Sequence, residues 1–168
     1  MKHFTVRQFK DACHARYFGP EEALDQELSG VETDSRGVTK GTLFVAIPGE
    51  RVDGHKFIPD VYAKGAACAL SQQELTDPAG PYLLVEDTQQ ALKEAAESYR
   101  PTLDIPVIGI TGSVGKTSTK EMIASILSQK YNVLKTQGNF NNELGVPLTI
   151  FRIGEEHEVA VVEMGMNH

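Results

Sequence analysis

The segment that most constrains the fold of this chain is residues 105–130, IPVIGITGSVGKTSTKEMIASILSQK. It begins with an apolar run, Val107–Ile110, which predicts a buried strand. A turn containing two glycines follows and leads directly into Lys116 and Thr117. The residues after it predict a helix with an apolar stripe at Met122, Ile123, Ile126 and Leu127. A strand, a glycine turn and a helix in this order predict a parallel α/β unit.

The same order of residues is typical of a loop that binds phosphate groups. Glycines let backbone N–H groups come close to phosphate oxygens, and the helix N-terminus adds unpaired donors and its positive dipole end. The ammonium of Lys116 can reach the β- and γ-phosphates of a nucleotide, and the hydroxyl of Thr117 can bind Mg²⁺. The pattern G-x-x-G-K-T is present, although Ile110 occupies the first glycine position of the longer G-x-x-x-x-G-K-[ST] pattern. The alternative is an ordinary glycine-rich turn with Lys116 in solvent.

Composition narrows the class of protein. The formal net charge of −7 argues against a protein that binds nucleic acid along its phosphate backbone, but a nucleotide site needs only local donors. Cys13 and Cys68 are far apart and not in a metal-like spacing, which predicts buried free thiols. No apolar run approaches the roughly 20 residues that cross a bilayer. We therefore expect a reduced, soluble, cytoplasmic protein without membrane insertion.

Strands predicted at residues 43–47 and 66–70 flank a helix predicted at residues 57–64, and this alternation indicates an α/β fold with a largely parallel sheet. Residues 5–14 predict a short helix capped by Thr5. A domain boundary is expected between about residues 80 and 105, with a helix at residues 88–99 as a possible bridge. An open nucleotide-binding sheet typically has about five or six strands, so the second domain is predicted to be incomplete.

Two features downstream of the glycine turn are candidates for the same site. Glu163 follows a buried strand at the position where parallel sheets place ligands, which predicts a second Mg²⁺ ligand. An ordinary strand-end acid is the alternative. Asn139, Asn141 and Asn142 lie close together before Gly145, and either a turn with a helix cap or a ligand contact explains them.

Four motifs together resemble the Mur ligase family: DSRGVTKGTLFVAIPGERVDGHKFI, TGSVGKTS, TQGNFNNELGVPLT and VVEMGMNH. The resemblance covers residues 34–168, and the last two motifs favour the branch that adds D-alanyl-D-alanine to UDP-N-acetylmuramoyl-tripeptide. It implies a small N-terminal α/β UDP-sugar-binding domain at residues 1–82. Residues 83–168 would be the first part of a P-loop, mostly parallel-sheet ATP-binding domain, with the C-terminal domain absent.

The resemblance also implies a reaction in cytoplasmic peptidoglycan precursor synthesis. ATP would phosphorylate the peptide carboxylate, and the amine of D-alanyl-D-alanine would attack the resulting acyl phosphate. ATP and Mg²⁺ are the implied cofactors, and UDP-N-acetylmuramoyl-tripeptide and D-alanyl-D-alanine are the implied small-molecule substrates. This segment alone is expected to be inactive. The alternatives are another Mur-type amino-acid ligase, an unrelated P-loop NTPase or kinase, and a nucleotide-binding module that regulates a partner.

Site residues are carried over from the family's motifs. Lys116 and Glu163 would be catalytic, and Thr117 and Glu163 would hold Mg²⁺. The implied ATP-binding residues are Gly112, Ser113, Val114, Gly115, Lys116, Thr117, Ser118, Asn139 and Asn142. The implied UDP-sugar contacts are Ser35, Arg36, Asp53 and His55. The structural alternatives are turn formation, an ion pair of Arg36 and a helix cap by His55; His168 receives no role.

Overall fold

The computed structural model describes residues 1–165 and contains two sheets. The first sheet has five strands, in the spatial order β1 (Arg16–Phe18), β5 (Tyr82–Leu84), β4 (Cys68–Ser71), β3 (Thr42–Val45) and β2 (Gly30–Glu32). Only β1 runs antiparallel to its neighbour. The second sheet is parallel and has the order β6 (Val107–Ile110), β8 (Val159–Glu163) and β7 (Val133–Lys135).

Helices separate most of these strands, but β2 leads to β3 and β4 leads to β5 through loops alone. The α-helices are α1 (Val6–Ala12), α2 (Ile58–Ala63), α3 (Thr88–Tyr99), α4 (Lys116–Leu127) and α5 (Gly145–Phe151). Short 3-10 helices occur at Glu21–Asp25, Gly54–Phe57 and Arg100–Thr102. The predicted α/β class with parallel sheets is therefore confirmed. No helix within residues 1–165 is long and apolar enough to cross a membrane.

The predicted cap of α1 is confirmed. The hydroxyl of Thr5 accepts a hydrogen bond from the Gln8 N–H at 3.2 Å, and the Gln8 side chain accepts one from the Thr5 N–H at 2.9 Å. This reciprocal arrangement satisfies two donors that the helix start would otherwise leave unpaired. It turns Val6 and Phe9, both fully buried, toward the core.

One hydrophobic core connects the two sheets, because α3 packs against α5. Tyr99, at the end of α3, stacks on Phe151, at the end of α5, with ring centroids 5.4 Å apart. The buried Tyr99 hydroxyl donates to the Ile153 carbonyl at 2.6 Å and accepts from the Lys2 N–H at 2.8 Å. The helix that was expected to bridge the two parts thus makes extensive contact with both.

The division into two domains remains a proposal. Strand β5 pairs with both β1 and β4, so a boundary between residues 82 and 83 would cut through a strand of the first sheet. We therefore place the proposed boundary after Leu84, which still lies within the interval expected from the sequence.

The inward face of α4 differs from the predicted stripe. Met122 and Ile126 are 66% and 69% exposed, whereas Lys120 and Ala124 are buried. Each residue of an α-helix is rotated by about 100° from the last, so Met122 lies about 200° around the axis from Lys120. Ile123 and Leu127 do pack against the sheet, so the predicted stripe was half wrong.

Both cysteines are free and buried, as predicted. Burial raises the pKa of Cys13 to about 11 and that of Cys68 to about 12. At pH 8 only roughly one Cys13 thiol in a thousand would be ionised, and the thiolate is the reactive form. We expect a thiol reagent at pH 8 to label the native chain at least 100-fold more slowly than the urea-unfolded chain. Rapid labelling of one thiol per native chain would contradict this burial.

Candidate functional site

The loop between β6 and α4 is shaped by two glycines with left-handed backbone conformations. Gly112 has φ of 142°, and Gly115, directly before the helix, has φ of 77°. Glycine adopts such angles without the steric penalty that a Cβ imposes. Among the described residues no side chain caps the start of α4, so the backbone groups of the loop remain available there.

The backbone N–H groups of residues 112–118 donate to no acceptor within residues 1–165. The first N–H groups of a helix always lack intrahelical partners, and here the amides of the preceding turn are added to them. A run of unpaired amides at a helix N-terminus is a ready-made site for an anion such as phosphate. The geometry therefore meets the first requirement of the predicted loop.

Lys116 lies over this loop. Its ammonium donates to the Gly112 carbonyl at 2.7 Å, and the residue is half-buried. Lys116 is the first residue of α4, and this contact places its positive charge against the opposite side of the turn, at Gly112. The fully solvated position considered as an alternative is not observed.

Glu163 lies at the end of the central strand β8 and is only 1% exposed. Its Oε1 accepts hydrogen bonds from the Thr117 hydroxyl at 3.1 Å and from the Asn141 amide at 2.7 Å. Its Oε2 lies 3.4 Å from the ammonium of Lys120. The two predicted Mg²⁺ ligands, Thr117 and Glu163, are thus in direct contact beside the loop.

The carboxyl group of Glu163 is ionised at neutral pH. Burial alone would raise its pKa, but hydrogen bonds from Asn141, Thr117 and Lys120 outweigh this effect and lower the pKa below its usual value. An ionised carboxylate beside a hydroxyl oxygen fits Mg²⁺, which is commonly held by one or two protein oxygens together with substrate phosphates. Within residues 1–165 no group of three or more His, Cys, Asp or Glu side chains forms an all-protein metal site.

Three residues that surround Glu163 were not assigned to it from the sequence: Lys120 and Thr136 were not named, and Asn141 was named only as one of three asparagines that either form a turn or contact a ligand. Lys120 and Asn141 contact its carboxylate, and the Thr136 hydroxyl accepts a hydrogen bond from its backbone N–H at 2.9 Å. For Lys120 a signal existed, because it shares a helical stripe with Ala124 and Leu127 and is therefore a charge among inward-facing positions. For Asn141 no local pattern distinguishes it from its neighbours.

Asn139 and Asn142 do not contact the carboxylate. The Asn142 side chain accepts a hydrogen bond at 2.7 Å from the N–H of Gly145, the first residue of α5, as the cap alternative supposed. Asn142 also lines a cavity of about 640 Å³ between α3 and α5. Contacts of Asn139 and Asn142 with a nucleotide stay predictions.

A second pocket, of about 350 Å³, lies beyond the carboxyl ends of β2 and β3. It is lined by Thr33, Asp34, Ser35, Arg36, Ile47, Val52, Gly54 and Phe57. The guanidinium of Arg36 forms a two-pronged ion pair with Asp34, and this pair lowers the pKa of Asp34 to about 2. The Arg36 side chain is nevertheless 88% exposed, so it is accessible to an anionic ligand.

His55 is buried next to this pocket and uses both of its ring nitrogens internally. Its Nδ1 lies 2.6 Å from Asp53, and its Nε2 lies 3.0 Å from the N–H of Gln72. Because a backbone N–H can only donate, Nε2 is the acceptor and the proton is on Nδ1, which donates to Asp53. Contact of Asp53 or His55 with a substrate stays a prediction, and the observed contacts are structural.

Models of two protein domains match this chain. The "Mur ligase family, catalytic domain" model matches residues 27–100, and the "Mur ligase middle domain" model matches residues 110–168. The UDP-N-acetylmuramoyl-tripeptide–D-alanyl-D-alanine ligase of Escherichia coli is 44% identical over 164 residues, which are 98% of this chain and 35% of that protein. The protein of the same name from Synechocystis is 42% identical over 165 residues, 97% of this chain and 36% of that protein.

Solved structures agree with these matches. A crystal structure of MurF from Acinetobacter baumannii has a TM-score of 0.85 and 38% identity, over 98% of this chain and 36% of that one. MurF ligase from Thermotoga maritima, solved in complex with ADP, has a TM-score of 0.72 and 34% identity, over 83% of this chain and 32% of that one. The chain thus spans about a third of the length of the relatives it matches. The sequence motifs, the two domain models and the fold agree that this chain belongs to the Mur ligase family.

Proposed function

We propose that this chain forms the UDP-sugar-binding and ATP-binding part of a ligase that adds D-alanyl-D-alanine to UDP-N-acetylmuramoyl-tripeptide. The observation that carries the proposal is the run of unpaired amides at residues 112–118 beside the Thr117–Glu163 pair. The names of the relatives support the choice of substrates. Because those relatives are about three times as long, the complete reaction is proposed only for a protein of their length.

Each residue of the loop has a role in this proposal. The amides of residues 112–118 would donate to phosphate oxygens of ATP, and Lys116 would exchange its contact with Gly112 for the transferring γ-phosphoryl group. Thr117 and Glu163 would hold Mg²⁺. When bound, the ion would neutralise phosphate charge.

The chemistry explains why such a loop is needed. A carboxylate is a poor electrophile at neutral pH, so an amide bond to it requires prior activation. Transfer of a phosphoryl group to the peptide carboxylate gives an acyl phosphate, and attack by the amine of D-alanyl-D-alanine then releases phosphate. The protein contributes mainly positioning and charge neutralisation to both steps.

The pocket beside Ser35 and Arg36 is proposed to bind the uridine diphosphate moiety. We expect Arg36→Ala to weaken UDP binding about 10-fold or more, because hydrogen bonds to charged groups are typically worth about 1.5–3 kcal/mol. Calorimetric titration with UDP would measure this, with Arg16→Ala as the control for loss of an exposed arginine. Equal UDP affinity in the Arg36 variant and the wild type would remove Arg36 from the site.

Titrating the chain with ADP plus Mg²⁺ and with UDP, first separately and then each in the presence of the other, tests the whole proposal. Binding of both ligands, each without displacing the other, is expected of the ligase. A folded chain that binds ADP but no uridine nucleotide would favour the competing interpretation, an unrelated P-loop NTPase or kinase. A cytoplasmic location and the absence of a nucleic-acid partner stay predictions.

A further inference from the structure

Lys120 is a fully buried cation on a helix face that is otherwise apolar. Its side chain is 0% exposed, and the same face of α4 carries Ala124, with Ile123 and Leu127 packed beside it. Burying an ammonium group is costly unless its donors are paired. The structure gives the ammonium three acceptors for its three N–H groups: Glu163 Oε2 and Glu121 Oε1, each at 3.4 Å, and the Gly138 carbonyl.

These contacts join three separate parts of the site. Lys120 belongs to the helix that follows the phosphate loop, Gly138 to the segment after β7, and Glu163 to the end of β8. Gly138 has φ of 52°, a left-handed conformation that glycine adopts without strain. The same segment leads to Asn141, whose amide holds the other oxygen of the Glu163 carboxylate.

Lys120 cannot contact the nucleotide itself. It lies one helical turn, about 6 Å along the axis, beyond Lys116, and no part of its side chain reaches the surface. An apolar side chain at this position would continue the helix stripe without any cost of burying charge. The contacts of the ammonium therefore point to a role exerted through Glu163.

We propose that Lys120 is a positioning residue, which fixes the Glu163 carboxylate beside Thr117 so that the pair can hold the Mg²⁺ of a bound nucleotide. The inference rests on the proposed function. It goes beyond that function by assigning a role in metal binding to a residue that contacts neither phosphate nor metal. Residues that orient metal ligands in this way typically alter metal affinity by about 10- to 100-fold when replaced.

The test is the Mg²⁺ dependence of ADP binding by the 168-residue chain, measured by calorimetry with Mg²⁺ and with EDTA. In the wild type, Mg²⁺ should tighten ADP binding. We call the ratio of ADP affinity with Mg²⁺ to ADP affinity with EDTA the Mg²⁺ gain. In Lys120→Met, the Mg²⁺ gain should fall by about 10-fold or more, while ADP affinity in EDTA stays within about twofold of the wild-type value. The matched control is Lys135→Met, which removes another lysine paired with Glu121 and should behave as wild type.

A double variant keeps the test decisive if Lys120→Met alone fails to fold. Lys120→Met with Glu163→Gln removes both charges, so neither is left buried without a partner. In the Glu163→Gln background, Lys120→Met should change the Mg²⁺ dependence by less than twofold, because its effect operates through that carboxylate.

Three results would overturn the inference. The first is an undiminished Mg²⁺ gain in Lys120→Met. The second is a loss of ADP affinity in Lys120→Met that is equal with Mg²⁺ and with EDTA. The third is an effect of Lys120→Met on the Mg²⁺ gain that is as large in the Glu163→Gln background as in the wild type, because it would show that Lys120 does not act through Glu163. A folded wild-type chain that binds no ADP would be a different result, since it would contradict the proposed function and this inference with it.

Discussion

Replacing Lys116 by alanine should weaken the binding of ADP with Mg²⁺ to this chain by about 10- to 100-fold. Its ammonium is the cation that lies over the unpaired amides, 2.7 Å from the Gly112 carbonyl, and hydrogen bonds to charged groups are typically worth about 1.5–3 kcal/mol. In a full-length ligase containing this segment, turnover should fall by about two orders of magnitude or more, because the charge would act on the transferring phosphoryl group.

Lys130→Ala is the control for the Lys116 experiment. Lys130 follows the end of the same helix, is exposed and contacts the ring of Tyr131. Its replacement should leave ADP affinity unchanged. Near-normal ADP affinity in Lys116→Ala, or an equal loss in both variants, would show that the ammonium of Lys116 does not act on the phosphates.

Replacing Tyr99 by alanine should lower the free energy of unfolding by about 3–5 kcal/mol, which is a large part of a typical domain's stability. The ring is fully buried between Phe4 and Phe151, and its hydroxyl has partners on both sides. Tyr99→Phe keeps the ring and should cost about 1–3 kcal/mol, because the carbonyl of Ile153 loses its donor. Urea unfolding followed by circular dichroism measures both values.

The same experiment tests whether the two sheets share one core. Because Tyr99 connects α3 to the end of α5, its loss should destabilise both sheets together in a single transition. A loss below about 1 kcal/mol for Tyr99→Ala would contradict the packing described for this ring. Two separate transitions in the wild type would show that the sheets unfold independently.

The phosphate loop was predictable from the sequence because its parts are consecutive. A strand, a glycine turn and a lysine at the start of a helix fix the local geometry with no information from the rest of the chain. The proximity of Thr117 and Glu163 was also predictable from the sequence, for a related reason. Glu163 ends strand β8, and Thr117 lies just after the loop that follows β6. These two strands are parallel neighbours, so their carboxyl ends lie at one edge of the sheet.

The supports of that site could not be predicted, because they depend on tertiary packing. The stripe that Lys120 shares with Ala124 and Leu127 marks it as inward-facing, but its contacts with Glu163 and Gly138 follow only once α4 is placed on the sheet. The same placement turns Met122 away from the sheet. His55 is similar. Its Nε2 accepts from the N–H of Gln72, a residue on a different loop, and that contact determines both its tautomer and its structural role.

An ¹⁵N–¹H NMR titration of this chain with ADP and Mg²⁺ tests directly whether the loop at residues 112–118 binds phosphate. We expect the amide signals of residues 112–118 to shift first and most, since those N–H groups have no acceptor within the described part of the chain. Shifts confined to other residues, with these amides unchanged at saturating ADP, would contradict the claim that this loop binds the nucleotide phosphates.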